Sequence, residues 1–153
     1  MKIIEGKLNG NGAKIAVVMS RFNGLITEQL LKGCHDGLIR NNVNDEDISV
    51  FKVPGSFEIP LTVKRVAESK KYDAIIALGA VIRGETPHFD FVAAETSKGI
   101  AHVSLENNIP VIFGILTTDT TEQALERAGI KAGNKGYDAA ITAIELIDLY
   151  KQL

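Results

Sequence analysis

Residues 74–90 read Ala-Ile-Ile-Ala-Leu-Gly-Ala-Val-Ile-Arg-Gly-Glu-Thr-Pro-His-Phe-Asp, a buried strand, a turn and a helix start in immediate succession. Ala74 to Leu78 is continuously apolar, the pattern of a strand covered on both faces, as parallel strands are in α/β proteins. Gly79 and Gly84 are expected to bracket a turn. Thr86 is placed to cap a helix with its hydroxyl, and Pro87 suits the first helical position, where its missing N–H and restricted φ cost little. His88 then stands at the helix mouth. At the carboxyl ends of a parallel sheet, a helix N-terminus offers free N–H groups and a positive dipole end, and phosphate is the anion that suits it best. Taken alone, Gly-Glu-Thr-Pro also reads as an ordinary strand-to-helix turn. Its glycine spacing matches neither a Walker loop nor a dinucleotide fingerprint. Imidazole changes protonation near neutral pH, so His88 is the candidate for moving protons.

Outward from this stretch the same unit repeats. Ile15 to Met19 forms a first strand, followed by Ser20-Arg21-Phe22-Asn23-Gly24 and a helical stripe from Leu25 to Ile39. Ile48 to Val53 is the second strand, with Ser56 as the N-cap of a helix carrying Ile59, Val63, Val66 and Ala67. His88 to Asn107 has one apolar helical face, and Pro110 to Leu116 supplies a fourth strand. A short helix over 121–128, a glycine-rich link over 129–136 and a last helix from about Tyr137 complete the chain. Four βα units in series predict a flavodoxin-like three-layer α/β/α sandwich, with a four-stranded parallel core sheet and an extended N-terminal segment at residues 2–5.

The 153 residues fit one domain, 1–153, large enough to bury a core without disulfides or metal. A net charge of −2 lacks the basic excess of a nucleic-acid or membrane-surface binder, so no nucleic acid and no membrane partner is expected. Cys34 is the only cysteine, which rules out an internal disulfide and a cysteine metal cluster and suits a reducing, cytoplasmic setting. There is no apolar signal core at the amino terminus and no run of bilayer length.

The strand ends carry Arg21-Phe22-Asn23, Pro54-Gly55-Ser56-Phe57-Glu58-Ile59-Pro60, Gly84-Glu85-Thr86-Pro87-His88-Phe89-Asp90 and Phe113-Gly114-Ile115-Leu116-Thr117-Thr118. Glu126-Arg127-Ala128-Gly129 and Lys131-Ala132-Gly133-Asn134-Lys135-Gly136 follow. In this order and spacing they resemble the lumazine synthase family over essentially the whole chain. The resemblance implies a transferase of riboflavin biosynthesis that condenses 5-amino-6-(D-ribitylamino)uracil with 3,4-dihydroxy-2-butanone 4-phosphate, giving 6,7-dimethyl-8-ribityllumazine, phosphate and water, with no cofactor and no metal. It makes Phe22 a stacking face for the pyrimidine and Ser56, Phe57 and Glu58 the partners of the ribityl chain. Ala80, Val81 and Ile82 would offer backbone groups to the pyrimidine edge. Glu85 and Thr86 correspond to the phosphate turn, with Glu85 pointing to solvent. Pro87, threonine in some relatives, removes one donor there. Arg127 would supply the positive charge and His88 would shuttle protons, while Phe113 and Lys135 line the pocket and Arg83 is structural. The family's assembly implies a homopentamer with sites between neighbours, residues 2–5 adding to a neighbouring sheet, and the 128–136 link resembles that of relatives forming shells of sixty subunits. An archaeal-type riboflavin synthase or a non-catalytic flavin binder on this scaffold are the competing readings.

Overall fold

A strand with no polar face has one stable location, between two covering layers. In the computed structural model, which describes residues 1–131 and 133–153, the central strands take that location. The elements are β1 (Ile15–Ser20), α1 (Gly24–Arg40), β2 (Ile48–Val53), α2 (Ile59–Glu68), β3 (Ala74–Ile82), α3 (His88–Asn107), β4 (Val111–Thr118), α4 (Thr121–Arg127) and α5 (Lys135–Tyr150), with 3₁₀ turns at Asp45–Asp47 and Ser56–Glu58. The sheet is parallel throughout in the order β2-β1-β3-β4, the flavodoxin-like winding.

Side chains alternate across the sheet and divide the core into two layers. Ile15, Val17, Met19, Ile76 and Leu78 face α1, α4 and α5, where Leu30, Leu38, Ala140 and Ile144 meet them. Ala16, Val18, Ile75 and Ala77 face α2 and α3, against Ile59, Val63, Ile100 and Val103. Each large aliphatic side chain so buried contributes about 1.5–3 kcal/mol over exposure. On the first side α1 and α5 approach closely because Gly37 lies against Ala140 and Tyr137, where even a Cβ would be crowded. Cys34 is completely buried there, and burial pushes its thiol up to about 12, which keeps it neutral and unreactive.

Several boundaries differ from the sequence expectation, each for a tertiary reason. β3 does not turn at Gly79 but runs on to Ile82, because β4 accompanies it through the Ile82↔Thr118 pair. Gly79 serves packing instead: a Cβ there would lie 2.8 Å from Ser56 Oγ and 3.1 Å from both Ser20 Oγ and Ile115 Cδ1. The cap of α3 is Pro87, and the Thr86 hydroxyl makes no capping bond. Ser56 opens a 3₁₀ turn capped by Gly55, so it does not cap α2. α5 begins at Lys135, two residues before the expected start, because the Asn134 side chain accepts from the Gly136 and Tyr137 N–H groups.

The amino terminus is an irregular strap. It lies along α5, with the Lys7 N–H donating to Asp148 and the Gln152 amide donating to the Glu5 carbonyl, while Ile3 and Ile4 remain exposed. The 128–136 link closes through an antiparallel bridge between Ala128 and Asn134, with Gly129 and Gly133 at positive φ where a side chain would be strained. Ala132, part of the link singled out in the sequence, lies outside the described residues.

Candidate active site

The winding reverses between β1 and β3, and this is where an open parallel sheet forms its crevice. β1 ends at Ser20 while β3 continues four residues past its last β1 partner, Leu78. The overhang leaves one edge of β3 without a neighbouring strand. Hydrogen-bond directions alternate along a strand, and the Ile75 and Arg83 N–H groups both point to the β4 side, at Pro110 and Thr118. Ala80 and Ile82 therefore direct their backbone groups to the vacated side, and Val81 directs its own at β4. Asn23 Nδ2 donates to the Ala80 carbonyl at 2.8 Å from that vacated side.

Three loops wall the crevice. The β1–α1 loop is tied to the β2–α2 loop by N–H donation from Arg21 to the Val53 carbonyl and from Phe22 to the Pro54 carbonyl. Asn23 follows in the left-handed region at φ 57°, where its carbonyl accepts from Ile26 and Thr27 to start α1. These ties hold Phe22 in place although the residue is 70% exposed. From the second loop, Ser56 is buried with its carbonyl accepting from Thr96 Oγ1. Phe57 is exposed, and the Glu58 carboxylate folds back toward Gly55. The β3–α3 loop, residues 83–87, and His88 are exposed.

A cleft of about 490 Å³ results, lined by Phe22, Asn23, Ser56, Phe57, Glu58, Ala80, Val81, Ile82 and His88, with Phe89, Phe91 and Val92 from α3. Its size and its largely apolar walls with a few convergent polar groups suit a planar small molecule. Eight residues singled out in the sequence are thus brought together: Phe22, Ser56, Phe57, Glu58, Ala80, Val81, Ile82 and His88. Asn23 joins them, a residue that the Arg21-Phe22-Asn23 motif contains but assigns no role. Its sequence signal is the Asn-Gly pair, which favours positive φ at a helix start.

Glu85 and Thr86 sit in the exposed loop beside this cleft without being among its lining residues. The lining contains no lysine or arginine, and its one carboxylate is Glu58.

Phe113, Arg127 and Lys135 occupy a second concavity of about 440 Å³ along β4 and the start of α5, with Asp138, Ala139 and Thr142. Arg127 Nη1 donates to the Gln123 carbonyl, and Lys135 lies 3.4 Å from Asp138 Oδ2; both are exposed. Phe113 also lines a groove shared with Phe89, Ala93 and Thr117. Within one chain, then, the aromatic and imidazole group lies in one cavity and the cationic group in another. Among the described residues no cluster of three His, Cys, Asp or Glu side chains is placed to hold a metal ion.

Arg83, at the end of β3, contacts both neighbours of the loop it starts. Its Nε donates to Asp119 Oδ1 at 3.0 Å, its Nη1 to Asp90 Oδ1 at 3.2 Å, and its guanidinium lies 4.4 Å from the Phe89 ring centre. The Asp119 hydrogen bond, and then Asp90, raise the Arg83 pKa above its ordinary value.

The sheet order and the crevice at its winding reversal define an α/β sandwich with a cleft walled by strand-end loops. Residues 12–151 match the family model described as 6,7-dimethyl-8-ribityllumazine synthase, and the chain belongs to that family, one of transferases in riboflavin biosynthesis. Among solved structures, a de novo designed Rossmann fold protein is similar at 14% identity, covering 72% of this chain and 90% of its own, with a TM-score of 0.41.

Proposed function

We propose that the chain condenses 5-amino-6-(D-ribitylamino)uracil with 3,4-dihydroxy-2-butanone 4-phosphate to 6,7-dimethyl-8-ribityllumazine, releasing phosphate and water. Residues 1–153 act as one domain, without a metal or organic cofactor, in a cytoplasmic homopentamer whose sites lie between neighbouring copies. Further assembly into a sixty-subunit shell is the companion proposal for the 128–136 link. Family membership supports the substrate pair. The observation that carries the composite site is the division of charge: the cleft holding Phe22 and His88 has no cation in its lining, while Arg127 and Lys135 line a separate concavity beside the edge strand β4.

A head-to-tail contact that inserts one copy's β4 concavity at its neighbour's cleft joins the two halves, and repetition of that contact closes a ring. The pyrimidine stacks on Phe22, and the exposed ring gains a partner. The ribityl hydroxyls meet Ser56, Phe57 and Glu58, and the backbone of β3 beyond Leu78 meets the ring edge. The phosphate lies at the Glu85-Thr86 turn before α3, with the Thr86 hydroxyl free of a capping role, and the neighbour's Arg127 supplies its forked donors. Phe113 and Lys135 of the same neighbour close the pocket.

The attacking amine belongs to the aminouracil, so the protein need not form its own Schiff base. His88, at the α3 mouth, moves protons as the amine adds to the ketone, as water leaves, as phosphate is eliminated, and as the ribitylamino nitrogen adds to the remaining carbonyl and closes the second ring with loss of a second water. Alignment of the two substrates can lower the barrier by ~7–11 kcal/mol. That exceeds the ~10²–10⁴-fold typical of one proton-transfer group.

The direct test is appearance of lumazine absorbance when purified protein is mixed with both substrates; silence with this pair and turnover of lumazine itself would favour a riboflavin synthase. The composite site is tested by co-refolding Phe22→Asp with Arg127→Ala. Random mixing of two inactive variants restores about a quarter of sites if each draws on two copies. No recovery in a properly assembled mixture places both residues in one copy's site.

A further inference from the structure

The β3–α3 loop is thinly attached. Gly84, Glu85, Thr86 and Pro87 are all exposed, and a Cβ on Gly84 would meet nothing within 4 Å. The loop's backbone ties lie at its two ends, Arg83 N–H to the Thr118 carbonyl and Asp90 N–H to the Pro87 carbonyl. A loop so free has many courses available, yet binding a phosphate through backbone N–H groups needs one.

The acidic groups around it pose a second difficulty. Asp90 occupies the first turn of α3 and Asp119 ends the neighbouring strand, both exposed, with Glu85 in the loop itself. An uncompensated carboxylate competes with a phosphate for the positive end of α3.

Arg83 addresses both. Its side chain spans from Asp119, whose N–H donates to Gln123 Oε1 at the start of α4, to Asp90 on α3, and its plane covers Phe89 in the cleft wall. We propose that Arg83 is the positioning residue of the 83–88 loop, fastening it between α3 and the β4–α4 junction while holding Asp90 and Asp119 aside from the phosphorylated substrate. With two carboxylates on one guanidinium, Arg83 has no charge to spare for the substrate itself. That is consistent with the cation coming from Arg127. The inference rests on reading this loop as the phosphate turn.

The test is steady-state kinetics with each substrate varied in turn, with inorganic phosphate as a competitive probe. Arg83→Ala raises the KM for the phosphorylated ketone and the inhibition constant of phosphate together, by roughly tenfold, and leaves the aminouracil KM within about twofold. Arg83→Lys keeps the charge but cannot fork to both carboxylates, and falls between. Adding Asp90→Asn to Arg83→Ala recovers part of the phosphate affinity, which loss of packing alone would not do. Asp119→Asn, at an exposed site, reads the same brace if Arg83→Ala does not fold. Equal rises in both KM values, or unchanged phosphate constants in an assembled variant, overturn the proposal. If Arg127→Ala also leaves the phosphorylated ketone unaffected, it is the phosphate assignment that fails; if Arg127→Ala weakens it and Arg83→Ala does not, only the brace fails.

Discussion

Gly79→Ala isolates how the core of the sheet sets the floor of the cleft. Gly79 sits mid-strand in β3 with ordinary extended backbone, so alanine meets no conformational penalty, and reduced freedom of the unfolded chain would by itself stabilise by ~0.4–1 kcal/mol. Against this, the new methyl would lie 2.8 Å from Ser56 Oγ and 3.1 Å from both Ser20 Oγ and Ile115 Cδ1, all in buried residues. Inserting a carbon into such packing costs ~1–3 kcal/mol. The balance is a loss of about 1–2 kcal/mol, equivalent to roughly 2–8 °C in Tm for a chain of this length. The assay is thermal or urea unfolding at fixed protein concentration, since the proposed assembly would make Tm concentration-dependent. The contact is with an oxygen, so adding Ser56→Ala should return part of the loss, and the double-mutant cycle should show coupling. Displacing Ser56 also moves the 3₁₀ turn that carries Phe57 and Glu58, so under the proposed function the aminouracil KM rises more than that of the phosphorylated ketone. A Gly79→Ala protein as stable as the parent, or more stable, would refute the reasoning, because the crowding would then cost no more than the ~0.4–1 kcal/mol gained through the unfolded chain.

Two further outcomes follow, one from the proposed chemistry and one from the cap of α5. His88→Ala slows turnover by up to ~10²–10⁴-fold without abolishing it, measured by lumazine formation; complete loss with aminouracil binding intact would contradict a reaction that relies chiefly on alignment. Asn134→Ala removes both the cap of α5 and the donations from Nδ2 to the Gln29 and Ala128 carbonyls, so unfolding should show a cost above the ~0.5–2 kcal/mol of a simple cap. Because Lys135, a pocket residue under the proposed function, comes next in the chain, activity should fall with it; a loss no larger than that of a simple cap would show that the two donations contribute little.

Local pattern carried much of the fold. Ala74 to Leu78 announces a strand covered on both faces, and the apolar stripe of 88–107 gives α3 its observed ends, because burial and helical period act within short windows. The motifs at the ends of β1, β2 and β3 named eight of the residues that line the cleft. What local pattern could not supply was any effect of a neighbouring strand. Gly79 reads as a turn until β4 is seen pairing with it, and Thr86 and Ser56 read as caps until the loops around them are in place.

The amino-acid sequence by itself determined four βα units, their parallel sheet and the residue types at each strand end, since each depends on burial and hydrogen bonding over a few neighbouring positions. Only the tertiary structure decided that β3 outruns β1 and so bares a backbone edge, that Asn23 reaches that edge at Ala80, and that Arg83 joins Asp90 to Asp119. It also decided that Arg127 and Lys135 stand apart from Phe22 and His88. These are distances between segments far apart in the chain, and they are settled by how the two helical layers and the strand lengths fit together, which no short stretch of residues encodes.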